Sequence, residues 1–353
     1  MRQILLTVAL LVTLAICLNA RAVGAAMGVM AVPDGLRKKH AEPTPQLGGV
    51  AILAGFGIWL AGCLILNPQA DHFLMTVVLT GGGLAIVGFV DDRHEIPPAS
   101  RILLLLVFAA MAFTLDPHLI SPVLHFYSFG DVGIALGGYL ALMAVTAVGL
   151  VNSVNMADGQ NGLVGGMFVA WSACLAILTD GILQQMAGAL CALSLVFLVF
   201  NMRGKIFLGD CGSYGITFTL GLMVTLAHAR DQVTLETVIV WFFVPVVDCL
   251  RLMITRPLRG ISFMAGGRDH FHHRLIDALG RKFSALVYAG VVGGASLAAT
   301  LQPRFALVIL CLLSGFYFSF ARLSEGLAIE AAPGPNVPES DKVVALHDGK
   351  RRH

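Results

Sequence analysis

Apolar residues occupy this chain in long runs, and the polar residues gather in the gaps between them. A helix needs about 20 apolar residues to cross a bilayer. On that length the runs predict eleven spans: 3–31 (interrupted by Arg21), 47–66, 72–90, 101–116, 134–151, 162–179, 182–200, 212–228, 236–255, 283–301 and 304–321. The first run has the makeup of a signal peptide, with Ala20 and Ala22 as cleavage-site residues. Because many spans follow it, it is read as a retained helix. The expected fold is an all-α polytopic membrane domain over residues 1–322, followed by a polar, disordered tail over 323–353 that contains Pro and Gly and ends in KRRH.

Composition supports lipid as the solvent. Of 353 residues, 57% are hydrophobic and 12% charged, where an ordinary globular chain carries about 25% charged residues. Mean hydropathy is +0.82. The formal net charge of +2 says little about partners, and no nucleic-acid partner is expected. Seven cysteines without a C-x-x-C pair predict neither a disulfide framework nor a zinc site.

Charge distribution orients the chain. Eleven spans place the gaps 32–46, 91–100, 152–161, 201–211 and 256–282, with the tail, on one side. That side holds Arg37, Lys38, Lys39, Arg93, Arg203, Lys205, Arg256, Arg259, Arg268, Arg274, Arg281 and Lys282, with Arg101 at its edge. The opposite side holds little beyond Arg2, Arg230 and Arg304. An excess of Lys and Arg marks the cytoplasmic side. The N-terminus is therefore expected outside and the C-terminus in the cytoplasm.

The basic side also carries the candidate chemistry. Asp91 and Asp92 end a span with Glu95 nearby; adjacent carboxylates suit a hard cation, or simply form a solvated turn. In NSVNMADGQNGL, Asn152, Asn155 and Asp158 recur every third residue, so one helical turn can present them together, as ligands or as caps. In FLGDCGS, Asp210 lies between glycines, and Ser213 with the apolar run after it predicts a helix start. In GGRDHFHHRL, His270, His272 and His273 stand beside Arg268, Asp269 and Arg274. They suit a transition metal, a phosphate or a solvated basic loop. RKKHAEPTPQLGG reads as a rigid turn with a basic cluster that can hold anionic lipid headgroups. GGGLAIVGF, at 81–89, lies inside a span and reads as small residues for helix packing. Bare carboxylates repel a phosphate, and a magnesium ion between them reverses that. Phosphoryl transfer to a lipid fits a site open to both bilayer and water.

The motifs RKKHAEPTPQLGG, VGFVDDRHEIPP, NSVNMADGQNGLVGG, KIFLGDCGS and RDHFHHRL, in this order between about 33 and 322, resemble the polyprenyl-phosphate N-acetylhexosamine-1-phosphate transferases. Within that family they resemble the branch that uses UDP-N-acetylglucosamine and undecaprenyl phosphate. The resemblance implies a ten- or eleven-helix enzyme of the bacterial inner membrane, often a homodimer. It would move N-acetylhexosamine 1-phosphate from a UDP-sugar to undecaprenyl phosphate, release UMP, and require magnesium, with manganese as the alternative cation. Asp91 and Asp92 would be the aspartate pair, catalytic and also metal ligands, with Asp91 positioning or deprotonating the lipid phosphate. Asp210 would be a metal ligand. Asp158, a further catalytic residue, would line the nucleotide side of the cleft with Asn152, Asn155 and Asn161. Phe207 would stack on uracil, with Asn201 beside it. His40, His270, His272, His273 and Arg274 would contact substrate, with His273 in a catalytic role. Asn161 stands where many relatives have aspartate, and Glu95 where some have aspartate. D-H-F-H-H-R departs from the three consecutive histidines of the muramoyl-pentapeptide branch and argues against that donor. Other UDP-N-acetylhexosamines, of fucosamine or galactosamine type, stay open. A membrane transporter is the competing class, with Arg21, Asp248 and Arg251 as its intramembrane ionisable residues.

Overall fold

A computed structural model describes residues 1–33, 42–66, 72–260, 267 and 269–330. His40, Arg268 and residues 331–353 of the expected tail lie outside the described residues. Residues Met1–Cys311 form one compact unit and Leu312–His353 a second.

A helix answers each apolar run. In chain order they are α1 (Arg2–Leu18), α2 (Ala20–Met27), α3 (Gly48–Leu66), α4 (His72–Thr76), α5 (Gly82–His94), α6 (Pro98–Leu115), α7 (Leu136–Ala157), α8 (Leu163–Leu178), α9 (Gly181–Asn201), α10 (Gly209–Ala229), α11 (Leu235–Leu258), α12 (Phe271–Leu301) and α13 (Ala306–Glu330). A π-helical turn, Val77–Gly81, joins α4 to α5 in one span. Among the described residues, eight helices are long and apolar enough to cross a membrane, or nine with the bent pair α1–α2. That pair bends by 74°. α8 is a shorter apolar helix of 16 residues. The protein is an all-α multi-pass membrane protein.

Among the described residues, strand is confined to two short pairs: β1 (Met30–Ala31) with β2 (Thr44–Pro45), and the hairpin β3 (Val123–Phe126) with β4 (Gly130–Gly133). The hairpin occupies the gap between α6 and α7.

Several boundaries differ from the apolar runs. α10 begins at Gly209, so Ser213, expected at the helix start, lies inside the first turns. α12 begins at Phe271, so the second half of the expected long loop is helical. α13 runs to Glu330, past the apolar boundary at 322, so residues 323–330 of the expected tail are helical.

Indole groups tie the apolar core together. Trp171 of α8 donates to the Trp241 carbonyl of α11 at 2.9 Å, and Trp241 donates to Thr300 Oγ1 of α12 at 3.1 Å. Inside lipid a polar N–H has no water partner, so these bonds lock the helices together. At the polar end, α3 and α5 converge on α10. A Cβ on Gly49 would collide with the backbone of Gly212, and one on Gly88 with the backbone of Asp210. Glycine at those two positions lets three helices meet beside Asp210.

Candidate functional site

The aspartate pair ends α5. Successive residues of a helix point about 100° apart, so the two carboxylates reach different partners. Asp92 accepts from the backbone N–H of Asp210 at 2.9 Å and of Cys211 at 3.1 Å, and from Gln46 Nε2 at 3.0 Å. It is the N-terminal cap of α10, where orphan N–H groups favour an anion. Asp91 is buried. It accepts from the Ile96 N–H at 2.7 Å and from the Tyr214 hydroxyl at 2.7 Å, and pairs with Arg101 at 3.2 Å. Arg101 also donates to the Tyr214 hydroxyl at 3.0 Å.

Asp210, in the first turn of α10, accepts from Asn155 Nδ2 at 2.6 Å, and the same amide reaches Ser213 Oγ at 2.9 Å. Asp158 closes α7. Among the described residues its carboxylate has no hydrogen-bond partner. Burial, and then the charge of Asp210, push its pKa up to about 7. Asn152 donates to the Val148 carbonyl of its own helix at 2.8 Å. It lines a small cleft with Arg101, Tyr214, Leu84, Leu105 and Val151. Val151 also lines an apolar groove between α6, α7 and α10, whose walls include Phe113, Leu150 and Phe218.

Two residues expected on the nucleotide side are held by backbone. Asn201 is buried, accepts from the Gly162 N–H at 2.6 Å and donates to the Ile206 carbonyl at 2.8 Å. Phe207 is half-buried; its N–H donates to the Pro45 carbonyl at 2.8 Å, and its own carbonyl accepts from Gly48 at 2.8 Å. Asn161 is half-buried beside Gly204.

The histidine segment starts α12 and docks on the end of α11. Asp248 pairs with His270 Nδ1 at 3.2 Å and with Arg251 at 2.9 Å. Arg256 grips Asp269 through two bonds of 2.6 and 3.1 Å, which hold the Asp269 carboxyl below its ordinary range. His270 and His272 are buried, whereas His273 and Arg274 are half-buried. Burial, reinforced by His273 and His270, pushes His272 down to about 3, so its ring is neutral at neutral pH. The His272 ring packs on Gly159, where a Cβ would collide with its Nε2.

The structure therefore brings together Asp91, Asp92, Asn155, Asp158 and Asp210, and it joins the histidine segment to them through Gly159. Among the described residues, no three His, Cys, Asp or Glu side chains are arranged to hold a metal as they stand. The donor chemistry nonetheless fits a hard cation: Asp158 and Asp210 are neighbouring oxygen donors whose mutual repulsion a cation would relieve. Sequence reading missed Gln46, Tyr214 and Gln160, and took Arg101 only as a topology marker. Asp248 and Arg251 were visible as charges inside an apolar run. They pair with each other at the site rather than marking a path across the membrane.

Known proteins match this arrangement. The profile of glycosyl transferase family 4 matches residues 74–228, from α4 to the end of α10. An undecaprenyl-phosphate alpha-N-acetylglucosaminyl 1-phosphate transferase of Yersinia pestis is 31% identical over 76% of this chain and 75% of its own. The Salmonella typhi protein of that name is 28% identical over 85% of each chain. A decaprenyl-phosphate N-acetylglucosaminephosphotransferase of Mycolicibacterium smegmatis is 26% identical over 68% of this chain and 67% of its own. The chain belongs to glycosyl transferase family 4.

Proposed function

We propose that the protein transfers N-acetylglucosamine 1-phosphate from UDP-N-acetylglucosamine to undecaprenyl phosphate. The names of its relatives support this reading. The observation that carries it is the junction of an apolar groove with a polar cluster. The groove between α6, α7 and α10 suits a prenyl chain, and the small cleft that shares Val151 with it contains Arg101 and Tyr214, where a lipid phosphate would lie. The excess of Lys and Arg supports a cytoplasmic setting for this face, in a bacterial inner membrane.

An oxygen of the lipid phosphate attacks the sugar-linked phosphorus of the donor. The bond from that phosphorus to the bridging oxygen breaks, and UMP leaves with the oxygen. Asp91 orients Arg101 and Tyr214 toward the attacking phosphate. Asp92 fixes the N-terminus of α10 and so the position of Asp210. Asp158 and Asp210 would hold a magnesium ion, which would neutralise charge on the donor diphosphate. His273 and Arg274 supply further contacts to that diphosphate, and Phe207 stacks on the uracil.

The test is UMP release by purified protein with undecaprenyl phosphate, magnesium and a panel of UDP-N-acetylhexosamines. Release is expected with UDP-N-acetylglucosamine, its loss with EDTA, and recovery on adding excess magnesium. A preference for another UDP-sugar would correct the donor. No release with any of them would remove the enzyme reading and leave the transporter.

A further inference from the structure

Asp248 is a charged residue buried within an apolar helix, and the proposed chemistry does not use it. A carboxylate there is costly unless it is fully partnered. Its two oxygens lie 3.1 Å from the backbone N–H of Phe271, one of them 3.2 Å from His270 Nδ1. The side chain of the N-cap residue His270 makes no cap bond; α11 caps α12 through Asp248. Arg251 adds a bond of 2.6 Å to the Asp269 carbonyl.

α12 in turn supports the loop that carries Asp158. His272, in its first turn, is 2% exposed, and its Nε2 has no hydrogen-bond partner among the described residues. That ring lies against Gly159, the residue after Asp158. On the other side of the turn, Gln160 Nε2 donates to Ser284 Oγ at 2.8 Å and to the Arg281 carbonyl. α12 leaves helical geometry at Gly280, φ 76°, one residue before Arg281. The Asp158 turn thus rests on α12 at two points, and the start of α12 rests on Asp248.

We infer that Asp248 is a positioning residue for the transfer: acting through His270 and the first turn of α12, it sets where the Asp158 turn stands relative to His273 and Arg274. The inference rests on the reading of these residues as the donor side of the site. It assigns Gly159 a matching task, since any larger side chain would push His272 off the turn.

Two measurements test it. The first is steady-state UMP release with donor and lipid varied separately, for Asp248→Ala, Asp248→Asn, Gly159→Ala and the double variant Asp248→Ala/Gly159→Ala. Asp248→Ala and Gly159→Ala should each raise the KM for UDP-N-acetylglucosamine by about tenfold and leave the KM for undecaprenyl phosphate within about twofold. Asp248→Asn keeps an acceptor for the Phe271 N–H and should recover most of the loss. The double variant should be no worse than the poorer single variant, because both disturb one chain of contacts. Multiplying effects, or equal losses for donor and lipid, would overturn the inference. The second measurement is hydrogen exchange of the substrate-free protein. Asp248→Ala should speed exchange at 158–162 as well as at Phe271. Unchanged exchange at 158–162 would overturn the coupling, and this arm reads out whichever reaction the protein catalyses.

Discussion

The two ends of α10 carry the same residue types to opposite effect. At the far end, Glu236 accepts from the N–H groups of Tyr127 and Ser128 at 3.1 and 3.0 Å and so caps the turn of the β3–β4 hairpin. His125 pairs with Asp131 at 2.9 Å, and His228 with the Val233 carbonyl at 2.9 Å. Those groups satisfy one another and fasten a hairpin to two helices. At the near end, Asp92 and Asp91 are satisfied in the same way, yet among the described residues Asp158 beside them is not, and neither is His272 Nε2. A polar cluster that answers all its own hydrogen bonds is structural. One that leaves carboxylates crowded and unanswered is prepared for a ligand.

Substitution can break that contrast. The largest effect should come from Asp210→Asn or Asp158→Asn, which should lower kcat/KM for UMP release by a factor on the order of 10³ while leaving Tm nearly unchanged. Full activity in both variants would refute the site. Next, Asp92→Ala removes the cap of α10 and should cost about 1–2 kcal/mol of stability, read as a lower Tm, together with a loss of activity as Asp210 shifts. Glu236→Ala at the far end should cost a similar amount, about 1–3 kcal/mol, with both KM values unchanged. A changed KM there would mean that the far cluster is not merely structural.

The smallest effect concerns pH. In the folded protein His272 stays neutral down to about 3, whereas the unfolded chain takes up a proton near the ordinary value of 6.5. Below 6.5 the unfolded state therefore binds more protons, and stability falls as pH drops from 6.5 toward 3, with no such loss above 6.5. His272→Gln should lose less Tm than the wild type between pH 7 and pH 5. Equal losses would show that the His272 ring is charged in the folded protein.

Most of the helices were legible because lipid leaves one solution. A segment in hydrocarbon must satisfy its own backbone and present about 20 apolar residues. The polar loops were legible for the complementary reason, since Asp91, Asp158, Asp210 and the histidines interrupt apolar runs at their ends. The exact beginnings of α10 and α12 were not, because Asp92 and Asp248 start those helices from elsewhere in the chain.

The sequence by itself therefore determined a multi-pass helical protein and the set of residues from which its chemistry is drawn. Only the tertiary structure decided their division of labour. It committed Asp92 to a helix terminus, Asp91 to Arg101 and Tyr214, Asn201 to two backbone groups, and Asp248 to the histidine segment. It left the Asp158 carboxylate without a hydrogen-bond partner among the described residues. The reason is range: hydropathy is read along a chain, whereas a carboxylate's role depends on which donors lie within about 3 Å of it, and here those donors come from other helices.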